Sequence, residues 1–171
     1  MIAFQDEEGH LRTHPENADL TDQKLGMMVA TSPSVTFDGD SYVIAFHSDT
    51  GNLWIYSEAN GTASNLGRGI SRITSPSITA LDQGGWLIAF QDDAGHLRTH
   101  PDDSALTNRQ AGMMALTSPS LARLFEGGWL IAFQDDAGHL RTHPHDTILT
   151  NRQAGMDGRT SPSIVDGPLI Q

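Results

Sequence analysis

Apolar residues in this chain come in short bursts. "YVIAFH" (42–47), "WLIAFQ" (86–91) and "WLIAFQ" again (129–134) are apolar almost throughout and close on a polar residue. Each burst is rich in branched and aromatic side chains and lies between Gly, Asp or Ser, which predicts a strand. A polar, Gly-bearing stretch such as "DDAG" (92–95) follows, and then the alternating run "HLRTH" (96–100). A strand, a glycine turn and an alternating strand predict a β-hairpin. "SPSITAL" (75–81) follows a proline, which breaks a helix but suits the first residue of a strand. "LTNRQAGM" (106–113 and 149–156) predicts a weaker outer strand. No stretch keeps helical periodicity over ten residues.

These elements recur. "TSPS" starts at Thr31, Thr74, Thr117 and Thr160, always 43 residues apart, and "IAF" starts at Ile2, Ile44, Ile88 and Ile131. "LGMM", "AGMM" and "AGMD" start at 25, 111 and 154, with "LGRG" at 66 in the second unit. The chain of 171 residues therefore holds four units of about 43, spanning 31–73, 74–116, 117–159, and 160–171 together with 1–30. Helical repeats share this length, but the absence of helical periodicity leaves the all-β alternative. The predicted fold is one β-propeller domain over residues 1–171, with four blades of four strands. One blade is split between the termini, so that "TSPSIV" (160–165) would pair with Met1–Gln5 and close the ring.

Charge and composition narrow the function. A formal net charge of −11 argues against nucleic acid or an anionic membrane as partner. There is no cysteine, which excludes disulfides and thiolate metal sites. No apolar run approaches the ~20 residues of a membrane span, and the N-terminus does not read as a signal peptide.

The order "SPSI", "GGWLIAFQ", "DxxG", "L", "TSPSI" resembles the blades of lectin-type propellers, including the bacterial fucose-binding and tachylectin-like groups. It is similar also to "AFQxxTGNLW" tandem repeats of actinobacterial secreted proteins, nearest in "AFHSDTGNLWIYS" (45–57). The first, third and fourth units carry "HLRTH" where that pattern has "NLWIY". The resemblance covers the whole chain. It implies a secreted or cell-surface setting and sugar sites between neighbouring blades. "SDTGNLW" (48–54) is also similar to the Asp-box hairpin of sialidase propellers, a structural turn there.

The candidate chemistry is that of binding. Asp49, Asp93 and Asp136, with Glu7 in the first unit, stand two residues before a turn glycine and are expected to accept backbone N–H bonds there. His10 and His14, His96 and His100, and His139 and His143 have i, i+4 spacing. On a strand that separates their Cα atoms by roughly 13 Å, so no pair shares an ion and no metal or other cofactor is expected. Acids recur symmetrically in every unit, which leaves no unique carboxylate pair for a glycosidase, and no nucleophile or phosphate-binding motif occurs. A sugar site needs an aromatic face and planar hydrogen-bonding groups. The candidates are Tyr42, Trp54, Trp86 and Trp129 for stacking, Gln91 and Gln134 at the strand ends, and Arg12, Arg98, Arg141, His100 and His143 on the third strands. The tryptophans serve equally as packing between blades. The expected function is a multivalent, non-enzymatic, glycan-binding propeller. The alternative is a propeller scaffold that binds no sugar, as a fragment or an engineered repeat protein. A monomer is expected, because closure within one chain avoids the entropy of association; a blade-exchanged dimer is the other possibility.

Overall fold

The computed structural model describes residues 1–16, 18–103, 111–144, 150–158 and 160–165, with side chains left aside at 144 and 150–154. Among these residues there is no helix. The strands form four antiparallel sheets in chain order. The first holds β1 (Ile2–Gln5), β2 (His10–His14) and β3 (Thr21–Gly26). The second holds β4 (Ser34–Phe37), β5 (Tyr42–His47), β6 (Asn52–Ser57) and β7 (Thr62–Gly69). The third holds β8 (Ser77–Ala80), β9 (Trp86–Gln91) and β10 (Leu97–His100). The fourth holds β11 (Ser120–Arg123), β12 (Trp129–Gln134), β13 (His139–Pro144) and β14 (Thr150–Gly155). Each sheet is a meander in which every strand pairs with its chain neighbour, so the hairpins predicted from pattern are the sheets. The outer strand expected in "LTNRQAGM" of the third unit lies mostly outside the described residues; in the fourth unit it is β14.

The apolar bursts become the second strands, β5, β9 and β12, which are almost wholly buried. They are buried on both faces because the sheets stack on one another. Between the first and second sheets lie Leu11, Met27, Ile44, Phe46 and Tyr56. Val43, Ala45, Leu53, Ile70, Ile78, Ile88 and Phe90 fill the next gap. Leu87, Ala89, Leu97, Met113, Leu121, Ile131 and Phe133 fill the third. The core is thus three thin cores, one per interface. Odd positions of a second strand serve one neighbour and even positions the other.

The first strands β4, β8 and β11 pack side by side. They are joined through side-chain hydroxyls. The Ile78 amide donates to Ser34 Oγ at 3.1 Å, Leu121 to Ser77 Oγ at 3.0 Å and Ile164 to Ser120 Oγ at 3.1 Å. A second row runs the other way: Ser32 N–H to Ser75 Oγ, Ser75 to Ser118 and Ser118 to Ser161, at 2.8–2.9 Å. Both serines of "TSPS" are therefore stitches between sheets. The threonine closes the loop before them, as Thr31, Thr74 and Thr117 donate to the carbonyls of Met28, Ser71 and Met114.

One expected element differs. Residues 160–165 reach the fourth sheet through the Ile164 and Ser161 bonds, but no ladder pairs them with β1 and they form no strand. A strand needs a partner along its edge, and among the described residues none pairs with the other edge of β1.

Candidate functional site

The turns set the site. In each hairpin "QDxxGH" the first acid does the work expected of the second. Asp92 Oδ1 accepts the N–H groups of Ala94 and His96 at 3.0 and 2.8 Å, while Oδ2 accepts Arg98 Nε at 2.7 Å. Asp135 repeats this with Ala137, His139 and Arg141, and Asp6 with Glu8, His10 and Arg12. Gly9, Gly51, Gly95 and Gly138 close these turns at φ of 82–85°, a region glycine enters without strain. Asp49, Asp93 and Asp136 are not the turn acceptors. Their carboxylates lie over Gly26, Gly69 and Gly112 of the preceding sheet, where a Cβ would collide with them. That contact explains the glycine in "LGMM", "LGRG" and "AGMM": its missing side chain makes room for the next sheet's acid.

Burial raises the affinity of the Asp92 carboxylate for a proton, but the Arg98 bond and the His96 amide outweigh it and hold the group below the usual range. Asp135 behaves alike through His139 and Arg141. Asp6 is lowered chiefly by the His10 amide. These aspartates are ionised at neutral pH, and each fixes an arginine on the face turned toward the preceding sheet.

Between the second and third sheets this produces a cavity of about 400 Å³, lined by Gly67, Arg68, Gly69, Phe90, Asp92, Arg98 and Asp102. Arg98 pairs with Asp92 on the third-sheet wall, and Arg68 of the second sheet reaches across the gap to Asp102 of the third unit at 2.5 Å. Phe90 is the apolar floor. The volume lies within the range of small-molecule sites, ~300–1,000 Å³. The equivalent gap between the first and second sheets, lined by Leu25, Gly26, Phe46, Ser48, Asp49 and Trp54, is only about 60 Å³. Trp54 occupies the place of Arg98, beside Phe46 with ring centroids 6.4 Å apart, and fills the space. The exchange of "HLRTH" for "NLWIY" therefore closes one site. A further depression of about 560 Å³ lies at the far ends of β4 and β8, with Phe37, Asp38, Asp82 and Arg123 on its walls.

The sequence candidates separate accordingly. Trp86, Arg98 and His100 share one face of the third sheet, and Trp86 stacks on His100 at 5.7 Å. Burial lowers the His100 pKa, helped by the Arg68 charge. Trp129 and His143 make the same pair at 5.3 Å in the fourth sheet, and His143, fully buried, reaches Asp103 of the preceding unit at 3.1 Å. Trp86 and Trp129 also pack against the apolar cores. Gln91 and Gln134 are buried on the opposite face and donate to the carbonyls of Met113, Met114 and Met156, out of reach of the cavity. Tyr42 packs edge-on against Phe37. Arg12 and Arg141 keep the Arg98 geometry in their own sheets. Sequence reasoning missed Arg68 and Asp102, which lie in the outer strand of the second unit and the loop after β10. The signal was "LGRG", the one version of the glycine marker with an arginine.

Asp6, Glu8 and His10 bring ligand atoms within 4.8 Å of one another. Arg12 already pairs with Asp6, so the cluster is an ion-pair network. No family model and no curated protein matches the chain.

Proposed function

We propose that this chain is a non-enzymatic carbohydrate-binding protein built as a β-propeller, with its working site in the cavity between the second and third sheets. The observation that carries the reading is a cavity whose third-sheet wall holds the Arg98–Asp92 pair and whose two sides are joined by the Arg68–Asp102 pair. Vicinal sugar hydroxyls suit planar guanidinium and carboxylate groups. Four stacked antiparallel meanders, with the first strands β4, β8 and β11 of the last three side by side, support the propeller. Resemblance to lectin-type blades points the same way. The site between the third and fourth sheets has the same Asp135–Arg141 wall; the one between the first and second is closed by Trp54. Binding is thus multivalent but unequal from site to site.

The test is calorimetric titration with a panel of monosaccharides, backed by a glycan array. We expect dissociation constants in the high-micromolar to millimolar range, raised at least tenfold by Arg98→Ala and little changed by Trp54→Ala. Absence of binding across the panel, or binding lost only with Trp54, would overturn the reading. The former result would favour a pure scaffold, which the mutual pairing of the four charged groups also suits.

A further inference from the structure

The two ends of the sheet stack are complementary, and among the described residues each keeps apolar side chains exposed that are buried elsewhere. On the first sheet Ile2 is 61 % exposed and Phe4 38 %, although their six counterparts Ile44, Ile88, Ile131, Phe46, Phe90 and Phe133 are at most 2 % exposed. Those six have a preceding sheet to pack on and a first strand paired to their own. On the fourth sheet the opposite face is open. Leu130, Leu140 and Met156 are half-buried, whereas Leu87, Leu53, Leu97, Met27 and Met113 in the same positions are buried. Gly155 continues the series of Gly26, Gly69 and Gly112, yet nothing lies within 4 Å of where its side chain would be, while each of the others faces an aspartate of the next sheet. Glu7, the residue equivalent to those aspartates in the first unit, is exposed. The segment 160–165 offers its outer edge, with Val165 90 % exposed, and the first sheet lacks the first strand that β4, β8 and β11 supply to the others.

We propose that the first sheet of one copy docks on the fourth sheet of a second copy, with residues 160–165 of the second completing the first sheet of the first. The interface already exists three times within the molecule, made by the same residue types, so its chemistry is fixed. Ile2 and Phe4 take the places of Ile44 and Phe46 against the Leu140 and Met156 side of the partner, and Glu7 covers Gly155. The segment 160–165 pairs with β1 in the register seen at Ser34 with Ala45, Ser77 with Ala89 and Ser120 with Ala132, which places Ser163 opposite Ala3. A second copy is the occupant because the chain's own segment 160–165 does not cover its own β1. Two such contacts close a ring of two chains, cover both end faces of the stack and pair the edge of β1. The docking does not rest on the sugar-site reading.

The chain has no cysteine, so engineered thiols report without background. Sedimentation of the wild type at tens of micromolar should give a mass twice the 18.5 kDa of one chain. Phe4→Asp and Ile2→Lys should each halve that mass while keeping the strand signal in far-ultraviolet circular dichroism. A mixture of Ala3→Cys and Ser163→Cys single variants should form a disulfide-linked pair of chains under oxidation. A wild-type mass of one chain would overturn the proposal. So would a double variant whose thiols join only within one chain when the mixed single variants do not join, which would mean that the ring closes on itself. Loss of sugar binding with the two-chain mass intact would count against the sugar reading alone.

Discussion

Asp92 and Asp93 are neighbours with the same side chain and opposite duties. Asp92 holds a turn and an arginine; Asp93 lies over a glycine of the preceding sheet. Asp92→Ala should destabilise by about 1.5–3 kcal/mol, because two backbone amides and a guanidinium lose a charged acceptor. Asp93→Ala should cost under about 1 kcal/mol, since it removes an exposed group that makes no turn bond. Urea melts of the two variants check this, and equal losses would refute the assignment. The sequence showed that an acid and a glycine make each turn, and it named Arg98 and Trp86 as site candidates. It did not show which of two adjacent acids bonds, because the two differ by one residue of register, which composition cannot resolve. Arg68 escaped notice because it belongs to an outer strand and is brought to Arg98 only by the stacking of separate sheets.

The elements were legible where spacing decides. The second strands, the hairpins and the outer strands follow from pattern alone. The segment 160–165 was not, since its letters match Ser77–Ala80 while its partner is missing, and pairing is a property of two elements. His47 illustrates an element-level dependence. It ends β5, is buried, and its ring Nδ1 meets the Thr74 carbonyl at 3.2 Å, tying the second sheet to the loop that enters the third. Burial lowers its pKa below the ordinary 6.5, despite the carbonyl and the Asp93 charge. The unfolded chain therefore binds the proton first as pH falls, and stability is lost from about pH 6.5 down to the folded-state pKa, below which the loss stops growing. His100 acts in the same direction. Melting temperatures between pH 7 and 5 should fall for the wild type and fall less for His47→Gln, which carries the residue found at positions 5, 91 and 134. Parallel slopes would contradict this role.

At the scale of the molecule, order along the chain is order in space. Among the described residues each sheet packs on the sheets before and after it, through an apolar layer of five to seven side chains and a few hydrogen bonds from serines and loop amides. Within a sheet the connections are continuous ladders; between sheets they are isolated. Stability is then close to a sum of unit and neighbour contributions. The consequence is mechanical. A force applied at the two ends meets ladders that resist together and interfaces that give way singly, so the molecule should lengthen as a beaded string does, in discrete releases. Stretched as a single chain in an atomic-force or optical-tweezers experiment, it should extend in steps of roughly 15 nm, the contour of 43 residues at about 3.5 Å each. One step spanning the whole chain would mean that the four sheets yield as one body.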